Sequence, residues 1–485
     1  MVLRRATPRH LIPTRPHSLE NDDDAQTSAP HRTHTRHGGV LTRTPIAWRD
    51  PVAAFAPLKD QPFALLLHGA GGRWSYICAQ PMRTLLIEAA EDARDLEAAR
   101  RTLSSLPFER PPGAPPFCGG WAGLLSYEYG RALLPKLGRG AERGPWPDIA
   151  LGLYHELIAF DHETQAAEHL HWDWPGAPAP LLLQLAAGPL PPQDATGPLS
   201  TPAVNCIQKQ DYESRVARTV SYVHAGDCFQ ANISQRSNFT LLDGKHPYML
   251  AARLFAASKA PFSACFRLPG LALVSNSPER FLQIRREPDG RLKARTQPIK
   301  GTRPRGKTPQ EDEALAAELT SSPKDLAENL MIVDLMRNDL SRVCVPGSVK
   351  VPELQALHSY ANVHHLVSTI EAELQPGRDA FDVIAAAFPG GSVTGAPKIR
   401  AMQIIEEMED EARGPYCGSL IWMAPDGAMD SSILIRTIAL EERAEGGWAG
   451  HFRSGGGIVA DSDPQAEYAE TLDKARAIRA ALEGE

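Results

Sequence analysis

The feature that most limits what this chain can fold into is the order of its apolar segments after about residue 205. Residues 211–225 have helical spacing, whereas 229–235 open an alternating strand pattern that continues through 262–268 and 271–274. Beyond them strands and amphipathic helices mix without regular β-α-β alternation. Parallel sheets need that alternation because each crossover is normally a helix. The expectation is an α+β fold with antiparallel sheets. No internal repeat is visible, and no uncharged apolar run approaches the roughly eighteen residues of a membrane span. The stretches 63–67 and 383–388 are far too short.

Upstream, residues 1–45 are rich in Arg, His, Thr, Pro and Asp, lack apolar periodicity, and read as a disordered tail. Strands are expected at 63–69, 74–78 and 149–160, a helix at 89–106, and a small-residue strand at 117–127. The Pro-, Ala- and Gly-rich stretch 176–204 reads as a connection between an N-terminal subdomain (46–175) and a C-terminal domain (205–485). A chain of 485 residues could hold two or three domains, or one large fold with a deep cleft.

Charge and cysteine usage exclude some functions. A net charge of −7 argues against a nucleic-acid surface, so an anionic ligand must be met locally. Seven cysteines without a C-x-x-C pair form neither a disulfide scaffold nor a zinc site, and suit a reducing, cytoplasmic compartment. The arginine-rich start lacks the apolar region of a secretory signal.

Several segments carry candidate chemistry. In Q-P-I-K-G-T-R-P-R-G (297–306), Lys300 follows Pro298 by two residues and precedes Gly301, with Arg303 and Arg305 downstream. Neighbouring cations and a restrained backbone can make a lysine amine nucleophilic, although a solvated basic turn has the same composition. Ser322-Pro323-Lys324-Asp325 opens a helix, with Ser322 as N-cap and Asp325 explained by the cap. Glu328 lies on the same face as Asp325. Near the C-terminus Glu467 and Glu470 repeat this spacing, with Lys474 one turn on. Two such helices could give Mg²⁺ a few carboxylates and leave positions for water and a substrate oxygen; a solvated acidic face is the other reading.

The glycine-rich run 388–398 should feed a helix with Pro397 in its first turn, and its amides, Ser392 and Thr394 suit an anion as well as a plain tight turn. It does not match a Walker A loop. Gly455, Gly456 and Gly457 follow an expected strand. Arg436 sits in an apolar strand pattern, where a carboxylate partner or a bound ligand would have to meet it.

Taken together, these segments resemble the chorismate-utilising enzymes over nearly everything from about residue 46 onward. The most specific parts are Asn276-Ser277-Pro278-Glu279-Arg280-Phe281, P-I-K-G-T-R-P-R-G, and K-D-L-A-E-N-L-M-I-V-D-L-M-R-N-D-L from Lys324 to Leu340. Within the family the sequence is most similar to the aminodeoxychorismate synthase component I branch, because Lys300 stands where anthranilate synthases usually carry alanine.

The resemblance implies large antiparallel sheets packed as a β-sandwich flanked by helices, with the chorismate cleft between the sheets. It implies a transaminase-type reaction that yields 4-amino-4-deoxychorismate for para-aminobenzoate and folate synthesis. Lys300 would attack C2 of chorismate, with Glu279 as general acid for the departing C4 hydroxyl, and ammonia would then open the adduct. Glu328 and Glu470 would bind Mg²⁺, assisted by Glu467 and Asp325, the latter a position where many relatives have glutamate. Lys474 and the amides near Gly457 would hold the ring carboxylate. Tyr416 and Arg436 would hold the enolpyruvyl carboxylate, and His365, Ser392 and Thr394 would line the ring. Gln230 replaces the water-activating lysine of isochorismate and salicylate synthases, which disfavours water chemistry. Without a G-x-C-x-G nucleophile segment in the chain, ammonia is expected from a separate glutamine amidotransferase subunit, aminodeoxychorismate synthase component II. The rivals are an anthranilate synthase component I, opposed by Lys300, and a non-catalytic chorismate-binding subunit, opposed by retention of Lys300, Glu279 and both acid pairs.

Overall fold

A computed structural model of the protein describes residues 31–34, 39–69, 71–137, 140, 143–188, 196–360 and 363–484. Two antiparallel sheets, of thirteen and ten strands among the described residues, form the framework. The larger runs in the order His31–His34, Val40–Ile46, Ala166–Trp172, Glu156–Asp161, Trp74–Cys78, Leu65–His68, Phe262–Leu268, Leu271–Ser277, Thr437–Glu442, Trp448–Ile458, Gln230–Thr240 and Val204–Asn205, with Gly395–Ala396 also paired to Gln230–Thr240. The smaller runs Ile299–Pro304, Val363–Glu373, Leu292–Thr296, Arg280–Arg286, Met429–Ile433, Ser419–Met423, Gly120–Leu125, Ile149–Tyr154 and Arg83–Ile87, with Lys350–Ser359 also paired to Val363–Glu373.

The apolar residues explain how the sheets pack. The main core joins Leu65, Tyr76, Phe266 and Leu273 of the larger sheet to Leu124, Leu151, Leu282 and Ile421 of the smaller one, with Trp172 and Phe117 fully buried among them. Each such side chain contributes roughly 1.5–3 kcal/mol on leaving water. A second core holds the helices Pro247–Ala257 and Pro464–Glu483 against the other side of the larger sheet, through Leu254, Phe255, Ile478 and Leu482 on Ile438 and Phe452. A third packs Tyr212 and Val216 with Ile404, Ile405, Ile233 and Ile458. The expected sandwich flanked by helices is therefore present. Among the described residues no helix is long and apolar enough to cross a membrane.

Two boundaries differ from the sequence reading. The expected tail is shorter, because Val40–Ile46 pairs with both Ala166–Trp172 and His31–His34, and Leu41 is fully buried. Polar spacing hid a strand that is covered on one side only. The remainder of that tail, residues 1–30 and 35–38, lies outside the described residues. The connection at 176–204, of which 189–195 lie outside the described residues, does not divide the sheets. Leu65–His68 pairs with Phe262–Leu268, and Gly120–Leu125 pairs with Ser419–Met423, so both sheets draw strands from before and after it.

Candidate active site

Lys300 lies on Ile299–Pro304, where the pairing with Val363–Glu373 slips between Ile299 and Thr302. Such an irregularity re-aims a side chain out of the ladder. Gly301 makes it possible: its φ is 86°, and an added Cβ would lie 2.8 Å from Leu319 Cδ1 and 3.1 Å from Asp325. Lys300 Nζ stands 3.5 Å from Gln230 Oε1 on the opposing sheet and 3.6 Å from Glu328 Oε2. The downstream arginines do not crowd the amine as the sequence suggested. Arg303 is bound by Glu318 and Asp325, and Arg305 by Asp312.

Glu279 sits where the chain passes from Leu271–Ser277 in one sheet to Arg280–Arg286 in the other. Its amide N–H reaches Ser277 Oγ, its carbonyl accepts from Ile433 N, and Ser392 Oγ donates to its carboxyl at 2.8 Å. Burial pushes this carboxyl up to about 7, while the Ser392 hydrogen bond, Lys300 and Lys474 pull the other way. A carboxyl so placed keeps a proton to give near neutral pH.

The acid-bearing helices start alike. Ser322 accepts from Asp325 N at the head of Pro323–Ser341, and Asp463 accepts from Ala466 N at the head of Pro464–Glu483. Glu470 Oε1 is 2.6 Å from Lys474 Nζ, which also donates to the Gly455 carbonyl. Burial raises the Glu470 pKa, but Lys474, then Lys300 and Lys324, bring it below its ordinary value, although half of the side chain meets solvent. Glu467 is raised by burial; Ser462 Oγ donates to it at 2.7 Å and Lys324 Nζ lies 3.7 Å away. Lys300 thus stands 3.6 Å from Glu328 of one helix, and its charge reaches Glu470 of the other. Asp325 is turned to Arg303 instead. Among the described residues no three His, Cys, Asp or Glu side chains gather tightly enough to hold a metal by themselves. Glu328 and Glu470 are oxygen donors of the kind Mg²⁺ takes singly or in pairs beside water and substrate.

The glycines lie inside Trp448–Ile458 rather than after it, with Gly457 opposite Asn232 and Gly456 opposite Ile233. A Cβ on Gly457 would come within 2.6 Å of Gln230 Cδ, and one on Gly456 within 2.8 Å of Glu467 Oε2. Bare backbone there is what lets the amide and the carboxylates approach the strand.

The glycine-rich run departs from a simple anion loop. Gly391–Val393 makes a 3-10 turn, Gly395–Ala396 pairs with Gln230–Thr240, and Pro397 caps the helix Lys398–Met408 from outside rather than standing in its first turn. Ser392 is committed to Glu279 and Thr394 Oγ1 to the Gly390 carbonyl. His365 Nδ1 is 2.8 Å from Thr302 Oγ1, and burial, then Arg436, lowers its pKa to about 4, so the imidazole is neutral. Arg436 lies between strands, at φ 51°, not within one. Among the described residues no carboxylate pairs with it and no hydrogen bond joins it to Tyr416, which is buried beside Arg413 with the guanidinium 5.5 Å from the ring. An arginine held mostly buried without an anion suits a carboxylate supplied by a ligand.

Lys300, Gln230, Glu279, Ser392, Glu328, Glu470, Glu467, Lys474 and the two glycines therefore converge where the sheets face each other. Sequence reasoning missed Lys324 as a partner of Glu467, and Ser462. Lys324 had a readable signal, since it stands in the same cap segment as Asp325. A cavity of about 540 Å³ lies elsewhere, walled by Trp74, Tyr76, Arg110, Phe262 and Trp422. Its size does not make it the reaction site, because Lys300 and the acid pairs do not line it.

The family described as chorismate binding enzyme matches residues 62–480. The chain is 40% identical over 460 residues to aminodeoxychorismate synthase component 1 of Klebsiella aerogenes, covering 90% of this chain and 98% of that one. It is 36% identical to anthranilate synthase component 1 of a Synechocystis strain, covering 89% and 93%. Among solved structures, anthranilate synthase component I from Streptococcus pneumoniae TIGR4 superposes with a TM-score of 0.73 at 26% identity, covering 84% and 92%.

Proposed function

Because the chain belongs to the chorismate binding enzymes, we propose that it converts chorismate to 4-amino-4-deoxychorismate as the component 1 half of a two-part synthase. The observation that carries this reading is the position of Lys300, 3.6 Å from Glu328 and near a buried Glu279 whose carboxyl is pushed up to about 7 by burial. Lys300 forms a bond from Nζ to C2 of the ring while both conjugated ring double bonds shift one position toward C4 and the C4–O bond breaks. Glu279 delivers its proton to that oxygen, so water leaves rather than hydroxide. Ammonia then bonds to C4, the electrons return, and the C2–N bond breaks to free the lysine. The proton released by the entering nitrogen returns to Glu279. The resemblance to component 1 proteins supports the subclass, and Lys300 is the residue that separates it from an anthranilate synthase.

Glu328 and Glu470 would hold Mg²⁺, with Glu467 placed to orient water; the ion would supply positive charge for the ring carboxylate. Lys474, beside Glu470, and the Gly456–Gly457 backbone meet that same carboxylate. Arg436, with no carboxylate partner among the described residues, receives the enolpyruvyl carboxylate. Asp325, engaged with Arg303, acts at most on the helix end. Ammonia comes from a separate glutamine amidotransferase, component II. Seven cysteines, all of them free thiols, suit a cytoplasmic setting.

Purified protein given chorismate, ammonium and Mg²⁺ should form aminodeoxychorismate, and a chelator should stop it. Formation of anthranilate or isochorismate would overturn the subclass. Lys300→Ala should lower kcat by at least about a hundredfold, and an undiminished rate would remove the covalent step.

A further inference from the structure

One buried charge cluster stands directly behind the turn that carries Ser392. Arg413 has only 2% of its side chain exposed, as has Glu409. The guanidinium donates to both Glu409 oxygens at 2.7 and 2.9 Å, to the Val393 carbonyl at 3.1 Å and to the Asn232 carbonyl at 2.6 Å. Its faces meet the rings of Tyr127 and Tyr416, 4.8 and 5.5 Å from their centroids. Glu409 in turn accepts from the amide and the hydroxyl of Ser234, and from Arg453 at 3.4 Å.

The two carbonyls that Arg413 holds belong to the two segments that carry Ser392 and Gln230. Val393 lies between Ser392, which donates to Glu279, and Thr394, whose carbonyl accepts from Asn232 N. Asn232 is two residues from Gln230 on the same strand, the residue facing Lys300. A guanidinium is the one side chain that can serve two carbonyls and a carboxylate at once from a fixed planar fork. A buried ion pair is poor evidence of added stability by itself, whereas this one is tied to backbone that orients reacting groups. We infer that Arg413 is a positioning residue that fixes the Gly391–Val393 turn against Gln230–Thr240, so that Ser392 stays aimed at Glu279.

The inference rests on the function proposed above for its kinetic readout but not for its structural one. Arg413→Lys keeps a charge for Glu409 and gives up the fork. Its kcat should fall about tenfold to a hundredfold, the scale of a misplacement near 1 Å, while KM for chorismate changes less than about threefold. The groups facing Glu279 are Ser392, Lys300 and Lys474; with Ser392 slack, the alkaline fall of kcat should move to higher pH, which loss of stability alone would not do. Arg453→Gln is the control, because it breaks the other arm of the Glu409 cluster and touches Ser234 and the 411–412 carbonyls but no atom of the turn.

Amide exchange across 390–395 should quicken by about tenfold or more in Arg413→Lys and not in Arg453→Gln. Equal exchange in the two variants, or equal falls in kcat at equal loss of stability, overturns the assignment. If Arg413→Lys is not recovered folded, Glu409→Gln, which removes the aligning carboxylate at constant volume, carries the same expectations. A folded Glu409→Gln with wild-type kcat and exchange would overturn it too. Wild-type protein that fails to turn over chorismate would count against the proposed function, and the exchange comparison would still decide the role of Arg413.

Discussion

Glutamine in place of Glu279 keeps the volume and can still accept from Ser392, but it cannot ionise. In the wild type the buried carboxyl is raised from an ordinary 4.5 to about 7, chiefly by burial. A carboxyl that holds its proton more tightly when folded contributes fully to stability below about pH 4.5, and that contribution is lost as pH rises through about 7. At about 1.4 kcal/mol per pKa unit the raised value corresponds to roughly 3 kcal/mol. Glu279→Gln does not suffer that loss. The difference in unfolding free energy between variant and wild type should therefore shift in favour of the variant by on the order of 3 kcal/mol between pH 4 and pH 8.5. Glu128, also buried and raised to about 7, is present in both proteins and cancels in the comparison. Urea unfolding of the pair at matched pH measures it. A difference that stays flat within about 0.5 kcal/mol across this range would refute the argument. The same variant should lose about a hundredfold or more in kcat, having no proton to give, and wild-type kcat should fall as pH rises through about 7.

Gly457→Ala puts a methyl 2.6 Å from Gln230 Cδ inside a paired strand; about 1–3 kcal/mol of overpacking cost and a displaced Gln230 should appear as a lower melting temperature with a lower kcat, and a variant with wild-type values for both would contradict the cradle. Lys398, its side chain 10% exposed and its Nζ 2.8 Å from Asp339 and 2.6 Å from the Ala387 carbonyl, ties Pro323–Ser341 to Lys398–Met408. Lys398→Met should cost roughly 3–5 kcal/mol by stranding Asp339, and adding Asp339→Asn should recover part of it; a double variant less stable than the single would remove the pair as the cause.

The parts of this molecule legible in its sequence are those fixed by local chemistry. Ser322 beside Pro323, like Asp463 beside Pro464, announces a helix start, and both appear as caps. The i, i+3 acid pairs follow from those starts. What escaped is set by chain segments far apart. Arg303 and Arg305 looked like cations crowding Lys300, yet carboxylates at 318, 325 and 312 claim them. Arg436 looked like a strand residue because its neighbours are apolar, but a left-handed backbone at φ 51° interrupts pairing there. Asp325 had the spacing of a ligand and turned to Arg303. No spacing rule could foresee that Arg413 would reach the Val393 and Asn232 carbonyls, since neither lies near it in sequence.

The interleaving of the two sheets also bears on what fragments of this chain can do. Taking away residues 46–175 would strip Phe262–Leu268 of Leu65–His68 and Ser419–Met423 of Gly120–Leu125. Both strands would then expose long rows of unsatisfied N–H and C=O groups beside newly bared apolar surface, the combination that recruits other chains. Residues 205–485 hold nearly every reacting side chain, yet in isolation they would constitute an aggregation-prone remnant and not a minimal enzyme. Selection for activity in the later half therefore acts on the earlier half through its hydrogen-bonding rims.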